Sequence, residues 1–264
     1  MNNDKLRKYL DKNYLDYKKY HSSNDPVWFL HNLKDENEIE VTAFILSCFA
    51  YGKVEVMNEF FLNLSSRIAG NLYEFVLNFE ELKDKKYLDK LYYRFNVSED
   101  LVFLFSKLKQ VITEFGTLEK LFLSGYSNND ANILKGLYGL TDFMKKGIRS
   151  DSRYHYLIPD TRKNSTCKRL NLFLRWMVRK DEIDLGIWNK DISKSKLLIP
   201  VDTHIYKISQ RLKLVIRKSC DLKYAIELTE KLKQFDPEDP VKYDFALCHI
   251  GIDKKKSLRF PEGI

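Results

Sequence analysis

At 264 residues, 44% hydrophobic and 14% aromatic, the chain has enough apolar material for a substantial core, in one large domain or two lobes. Its 45 Lys+Arg against 37 Asp+Glu leave a formal charge of +8, an excess that suits a polyanionic partner and equally suits a merely soluble basic protein. The longest apolar stretch, Val41 to Ala50, is too short to span a bilayer, and Met1-Asn2-Asn3-Asp4 opens without the apolar core of a signal peptide, so a soluble, cytoplasmic protein is expected.

Helical periodicity dominates, with only ten glycines and six prolines to interrupt it. Helices are predicted over Ile39 to Tyr51, Val54 to Ile68 and Ser98 to Phe115. In the last of these Leu101, Phe105, Leu108, Val111 and Ile112 recur on one face, and Glu99-Asp100 place acids in the first turn. Further helices are predicted over Asn132 to Lys146, Thr166 to Arg179, Thr203 to Leu212, Leu222 to Phe235 and Pro240 to Ile250. No alternating strand pattern persists, so the class is all-α. Breaks fall at Gly147 to Asn164 and at Asp181 to Pro200, and both keep aromatic and aliphatic residues, unlike a flexible linker. The closing Lys254-Lys255-Lys256 reads as a solvated charge run or a phosphate contact.

Cys48, Cys167, Cys220 and Cys248 form no Cys-x-x-Cys, which excludes zinc-ribbon and iron–sulfur spacing. Cys48, Cys167 and Cys248 are expected to be buried free thiols. There is no Gly-x-Ser-x-Gly elbow and no phosphate-cradling Gly-x-x-x-x-Gly-Lys loop. His204 has no ligand-spaced partner, so no metal site is expected.

Two helix starts carry the candidate chemistry. In Thr166 to Arg179, Leu170, Phe173, Leu174 and Met177 share an inward face, whereas Lys168, Asn171, Arg175 and, less closely, Arg179 share another. Asn164, Ser165 and Thr166 suit a helix start whose backbone N–H groups can hold phosphate. The bland alternative is a solvated basic helix. Asp202, before Thr203-His204-Ile205, is a good helix N-cap, and capping alone would account for it. A lysine amine paired with such a carboxylate can also cleave a nucleobase from its sugar. The amine attacks the sugar carbon while the carboxylate steadies the positive charge developing there.

At these residues the chain resembles the helix-hairpin-helix DNA glycosylase superfamily, which includes endonuclease III and 8-oxoguanine DNA glycosylase. Val201-Asp202-Thr203-His204-Ile205 looks like the segment that carries the family's catalytic aspartate. Lys168-Arg169-Leu170 is placed like its catalytic lysine. Ile45 to Gly52 resembles the region that approaches DNA near the lesion, and Asp239 to Cys248 sits where the base pocket is lined. The Arg-Trp-Met-Val-Arg and Asp-Pro-Val-Lys-Tyr-Asp blocks are similar to an uncharacterised bacterial branch. The likeness spans most of Ile39 to Ile250. The chain departs from the pattern in having Lys163-Asn164-Ser165-Thr166 where the family hairpin has Gly-x-Gly, with Asn164 the residue able to imitate a positive φ. It also has Phe49 in place of a glutamine, a longer connection through Trp188, and no cluster cysteines.

The resemblance implies a two-lobed fold, with a helical barrel lobe over 39–163, a second lobe from 1–38 and 164–264, and a cleft between them. It implies a bifunctional glycosylase/AP lyase, with Lys168 as Schiff-base nucleophile and Asp202 as its electrostatic partner. Ser165, Thr166, Arg169, Arg175, His204, Lys207 and Tyr51 would contact DNA, and Phe49, Asp244 and Cys248 would line the base pocket. The expected partner is double-stranded DNA with a damaged base or an abasic site. The lack of cluster cysteines favours the 8-oxoguanine side and hence an oxidised purine. No cofactor is required, and a monomer associated with the nucleoid is expected. The alternative is a non-catalytic DNA- or RNA-binding protein on the same fold.

Overall fold

The computed structural model describes residues 3–19, 25–68 and 70–253; Met1-Asn2 and the Lys254-Lys255-Lys256 run lie outside the described residues. Helices carry the architecture: α1 (Asn3–Lys19), α2 (Val27–His31), α3 (Glu36–Cys48), α4 (Val54–Arg67), α5 (Leu72–Asn78), α6 (Glu81–Leu88) and α7 (Ser98–Phe115) come first. They are followed by α8 (Leu118–Gly125), α9 (Leu134–Lys145), α10 (Tyr154–Leu157), α11 (Lys168–Val178), α12 (Thr203–Arg211), α13 (Leu222–Lys233) and α14 (Tyr243–Ile252). The protein is thus all-α. One short antiparallel hairpin departs from the helical reading: β1 (Tyr92–Tyr93) pairs with β2 (Asn96–Val97) in the register Tyr92↔Val97. The chain divides into two units, one of Met1–Ser22 with Thr161–Ile264 and the other of Ser23–Asp160.

The Ser23–Asp160 unit is organised by α3, whose residues from Ile39 to Cys48 are all buried. A helix apolar on every side belongs in the middle of a core. It starts at Asp35, whose Oδ1 accepts the Glu38 N–H at 2.9 Å. The one carboxylate inside it, Glu40, accepts the backbone N–H groups of Leu118 (2.7 Å) and Glu119 (3.0 Å), so a buried charge on α3 fixes the start of α8. The predicted face of α7 is buried as its spacing requires, with Leu101, Phe105, Leu108, Val111 and Ile112 all inward. Phe105 stacks edge-on to Phe75 and Phe79.

The other unit is closed by chain segments far apart in sequence. Leu6 and Leu10 of α1 share a core with Ile205 and Ile208 of α12, Leu228 and Leu232 of α13, and Tyr243 and Leu247 of α14. Polar ties reinforce the packing of α1 on α14, since the Tyr243 hydroxyl donates to Asp11 Oδ1 at 2.9 Å. The long connection before α12 is ordered against α11. Trp188, 1% exposed, donates its backbone N–H to Met177 O at 2.7 Å and stacks edge-on against Phe173. The turn that allows this is Gly186, with φ 65°, where a Cβ would fall 2.5 Å from the Lys180 Cβ and 2.8 Å from the Arg179 carbonyl oxygen.

Candidate functional site

The approach to Lys168 is a tight hairpin. A 3-10 turn over Thr161–Lys163 ends at Asn164, whose N–H donates to Thr161 O at 2.9 Å and whose φ is 61°. Asn164 therefore adopts the left-handed conformation that glycine enters most readily and asparagine tolerates. Cys167 adopts a second left-handed position, φ 47°, which the sequence does not signal. The Asn164 side chain is hydrogen-bonded to Asp221, which also accepts the Tyr224 N–H at 3.0 Å and so caps α13. The Arg217 guanidinium on Asp221 holds that carboxyl down at about 2, with these hydrogen bonds helping. Ser165 Oγ accepts the Cys167 N–H at 3.1 Å, and Asn171 donates to Thr166 O at 2.8 Å, closing the loop back onto α11. Lys168, half-buried, is the first residue of that helix.

Asp202 is the N-cap of α12. Its backbone is extended, and its Oδ1 accepts the N–H groups of both His204 and Ile205 at 2.8 Å. The two helix starts are joined directly, because the Thr166 hydroxyl donates to the Val201 carbonyl at 3.4 Å. Their side chains converge electrostatically on a third residue, Asp244 of α14. Burial pushes the Asp244 carboxyl up to about 6; the charge of Asp202 adds to the rise, while Arg175 and Lys168 oppose it. Lys168 and Asp202 thus both lie within electrostatic range of the buried Asp244, and the Asp202 carboxylate is pinned by two backbone N–H groups.

Below this cluster lies a buried ion network. Arg175, 4% exposed, is paired with Asp244 and donates from Nε to Asp184 Oδ1 at 3.1 Å. Arg179 pairs with Asp184, Asp239 (2.8 Å) and Asp181 (2.9 Å). The Tyr14 hydroxyl of α1 donates to Asp181 Oδ2 at 2.6 Å. Burial pushes Asp181 up, yet the Arg179 charge, the tyrosine and two backbone N–H groups outweigh it and hold the carboxyl well below the usual range. Asp184 ends on the other side: burial raises it despite its two arginines.

This network corrects two sequence expectations. Arg175 does not extend toward phosphate, because its guanidinium is enclosed by carboxylates. Arg169, expected to hold backbone phosphate, is likewise buried, at 9% exposed. The Arg175/Arg179 spacing of one helical turn, followed closely by Asp181 and Asp184, is the sign of a charge network that the sequence does carry.

The outer face of α12 is the basic surface. His204 and Lys207 are exposed and, with Tyr206, Arg211, Lys218 and Gly251, line a recess of about 480 Å³. Hydrogen bonds from Tyr206 Oη to Lys218 O (2.5 Å) and from Gln210 Nε2 to Val215 O (3.1 Å) hold its outer loop. Ser165 and Thr166 are half-buried. Cys248 is half-buried against the α12–α14 core, short of the full burial expected.

Phe49 and Tyr51 belong to the Ser23–Asp160 unit. Phe49 is a core residue, 1% exposed, packed on Phe60 and Tyr93, so the pocket-lining role is corrected to packing. Tyr51 is half-buried, with its hydroxyl bonded to Asn96 Oδ1 at 2.9 Å. Among the described residues no helix is long and apolar enough to cross a membrane.

Fold and site together define a mostly helical protein with a lysine and an aspartate at two tethered helix starts. Residues 25–253 match the family described as "Protein of unknown function (DUF2400)", and the chain belongs to that family. No curated protein and no solved structure is significantly similar to it.

Proposed function

We propose that this protein is a helix-hairpin-helix DNA glycosylase/AP lyase that removes a damaged base, with an oxidised purine the expected class, from duplex DNA. The observation that carries the reading is that Lys168 opens α11 and Asp202 caps α12 at helix starts tied by the Thr166 hydroxyl and the Val201 carbonyl. The left-handed Asn164 supports phosphate docking at the hairpin without glycine. His204 and Lys207 would continue the phosphate track along α12.

In the proposed reaction the damaged nucleotide is extruded, since its glycosidic carbon is shielded within the stack. The Lys168 amine forms a bond to C1′ and the C1′–N bond breaks, its electron pair and a proton leaving with the base. Asp202 steadies the positive charge at the sugar, accepts the proton lost by the amine and delivers it to the departing base. Ring opening gives the Schiff base, and loss of a C2′ proton expels the 3′ phosphate. Water then hydrolyses the Schiff base to free Lys168, and the proposed steps call on no metal or diffusible cofactor.

The test is borohydride trapping on duplex DNA bearing 8-oxoguanine or an abasic site, with wild type and Lys168→Ala in parallel. A covalent adduct with wild type alone is expected. Tight binding to the same duplex with no adduct would sink the lysine chemistry and leave a DNA-binding protein on this fold.

A further inference from the structure

The hairpin between α6 and α7 places aromatic rings where a folded domain ordinarily avoids them. Successive strand residues point to opposite faces, so Tyr93 and Asn96 are buried at 2% and 1% exposure while Tyr92 is 74% exposed. The two-residue turn, Arg94-Phe95, has Arg94 in the left-handed region (φ 55°) and leaves Phe95 58% exposed. The inward side is firmly anchored. Tyr93 Oη donates to the Tyr51 carbonyl, Tyr51 Oη reaches Asn96 Oδ1 at 2.9 Å, and Asp100 Oδ2 accepts from both Asn96 Nδ2 and Val97 N at 3.0 Å. The exposed rings therefore sit on a rigid base.

Around the tip Phe95, Tyr156, Tyr51 and Arg94 form one cluster. Tyr156, 46% exposed, packs edge-to-face with Tyr51 (5.2 Å, 79°) and with Phe95 (5.7 Å, 78°). The Arg94 guanidinium lies 5.8 Å from the Tyr51 ring centroid and 5.7 Å from that of Phe95. Gly52, with φ 90°, leaves the space for that guanidinium, and a Cβ there would collide with it. An edge-to-face pair covers the face of only one of its rings, so this geometry keeps aromatic faces open. Exposed apolar surface of this kind marks a binding site. Arg94 brings a positive charge to the cluster and fixes the sign of its partner.

We propose that this hairpin tip is a stacking platform for unpaired nucleobases, in which Phe95 and Tyr156 take base faces and Arg94 takes the adjoining phosphate. Every base offers a π-face, so such a platform is sequence-tolerant, and an arginine beside it adds cation–π and phosphate attraction. The inference rests on the nucleic-acid part of the functional reading and is independent of the Lys168 chemistry.

The test measures affinity by fluorescence anisotropy for single-stranded oligothymidylate and for a base-free strand of the same length made of abasic units. The Phe95→Ala/Tyr156→Ala variant is expected to lose affinity for oligothymidylate by about tenfold or more. Its affinity for the base-free strand should stay within about twofold, because that strand has only backbone to offer. Phe95→Trp should retain stacking, and Leu82→Ala, at an unrelated exposed site (87% exposed), should change neither affinity. Equal losses on both strands, no loss on either, or wild-type affinity as high for the base-free strand would overturn the platform and leave a protein partner as the occupant. Base-dependent binding without a trapped adduct upholds the platform while removing the lysine chemistry, and a trapped adduct without base-dependent binding does the reverse.

Discussion

Arg175 of α11 and Asp244 of α14 form an ion pair that is nearly inaccessible to solvent, two helical turns beyond Lys168 along the same helix face. The pair joins the candidate site to the network of Asp184, Arg179, Asp239 and Asp181. The site is thus supported from within by charge, and each member of that support can be tested.

Removing one partner strands the others. Arg175→Ala takes the arginine from the buried Asp244 and leaves Asp184 with Arg179 alone, and a loss of about 3–5 kcal/mol is expected. Arg175→Met with Asp244→Leu removes both charges and should recover much of that loss. Urea denaturation of the two variants and wild type measures the difference. Similar stabilities for Arg175→Ala and wild type would show that the pair adds no support.

Asp202 allows its two roles to be separated. Asparagine caps helices about as well as aspartate, so Asp202→Asn should stay within a few tenths of a kcal/mol of wild type, whereas Asp202→Ala should lose about 1 kcal/mol. If the carboxylate acts at the sugar, adduct formation should nevertheless fall about a hundredfold or more in Asp202→Asn. Retained activity in that variant would restrict Asp202 to capping.

Asp244 gives the stability a pH signature. Its folded carboxyl, at about 6, holds a proton more tightly than an unfolded aspartate does. The folded state therefore binds more protons than the unfolded state between about pH 4 and 6, and the contribution of this group to stability falls as pH rises through that window, by up to about 3 kcal/mol. Asp181, whose folded carboxyl is depressed, contributes in the opposite direction, losing stability on acidification. Subtracting the Asp244→Asn stability profile from that of wild type isolates the first effect. A difference that rises with pH between 4 and 6 would contradict it.

Gly186 tests the ordering of the connection before α12. Gly186→Ala combines a positive φ with clashes against Lys180 and the Arg179 carbonyl, and a loss of about 1–3 kcal/mol is expected. The same variant should redden the tryptophan emission as Trp188 leaves its packing on Phe173. Unchanged melting and emission would mean that the turn relaxes without cost.

The long amphipathic helices are legible in the sequence because their apolar spacing is sustained. Ser98–Phe115 has both ends where its pattern places them, and α12 and α13 differ from expectation by only a residue or two at the C-terminal end. The short elements are not legible. α5, α6 and α8 span too few turns for a period to stand out, and Tyr-Tyr-Arg-Phe-Asn-Val offers only two residues per strand. At the site, a helical wheel sorts side chains by face but cannot tell whether a basic face meets water or buried carboxylates. That is why Arg175 reads as outward, and why Asp184, Asp239 and Asp181 stand out only beside their partners from distant segments. The left-handed Asn164 is legible because asparagine is among the few residues that tolerate it, whereas Cys167 carries no such preference.

The way α1 closes against α14 fixes an order of events during synthesis. The Ser23–Asp160 unit is contiguous, so it can complete its packing once its own residues have left the ribosome. α1, made first, has its partner helix at Tyr243–Ile252, more than two hundred residues later. At roughly 5–20 residues per second, Leu6 and Leu10 must wait on the order of ten seconds or longer for the surface that buries them. During that interval the apolar side chains of this segment lack the core that covers them in the folded chain.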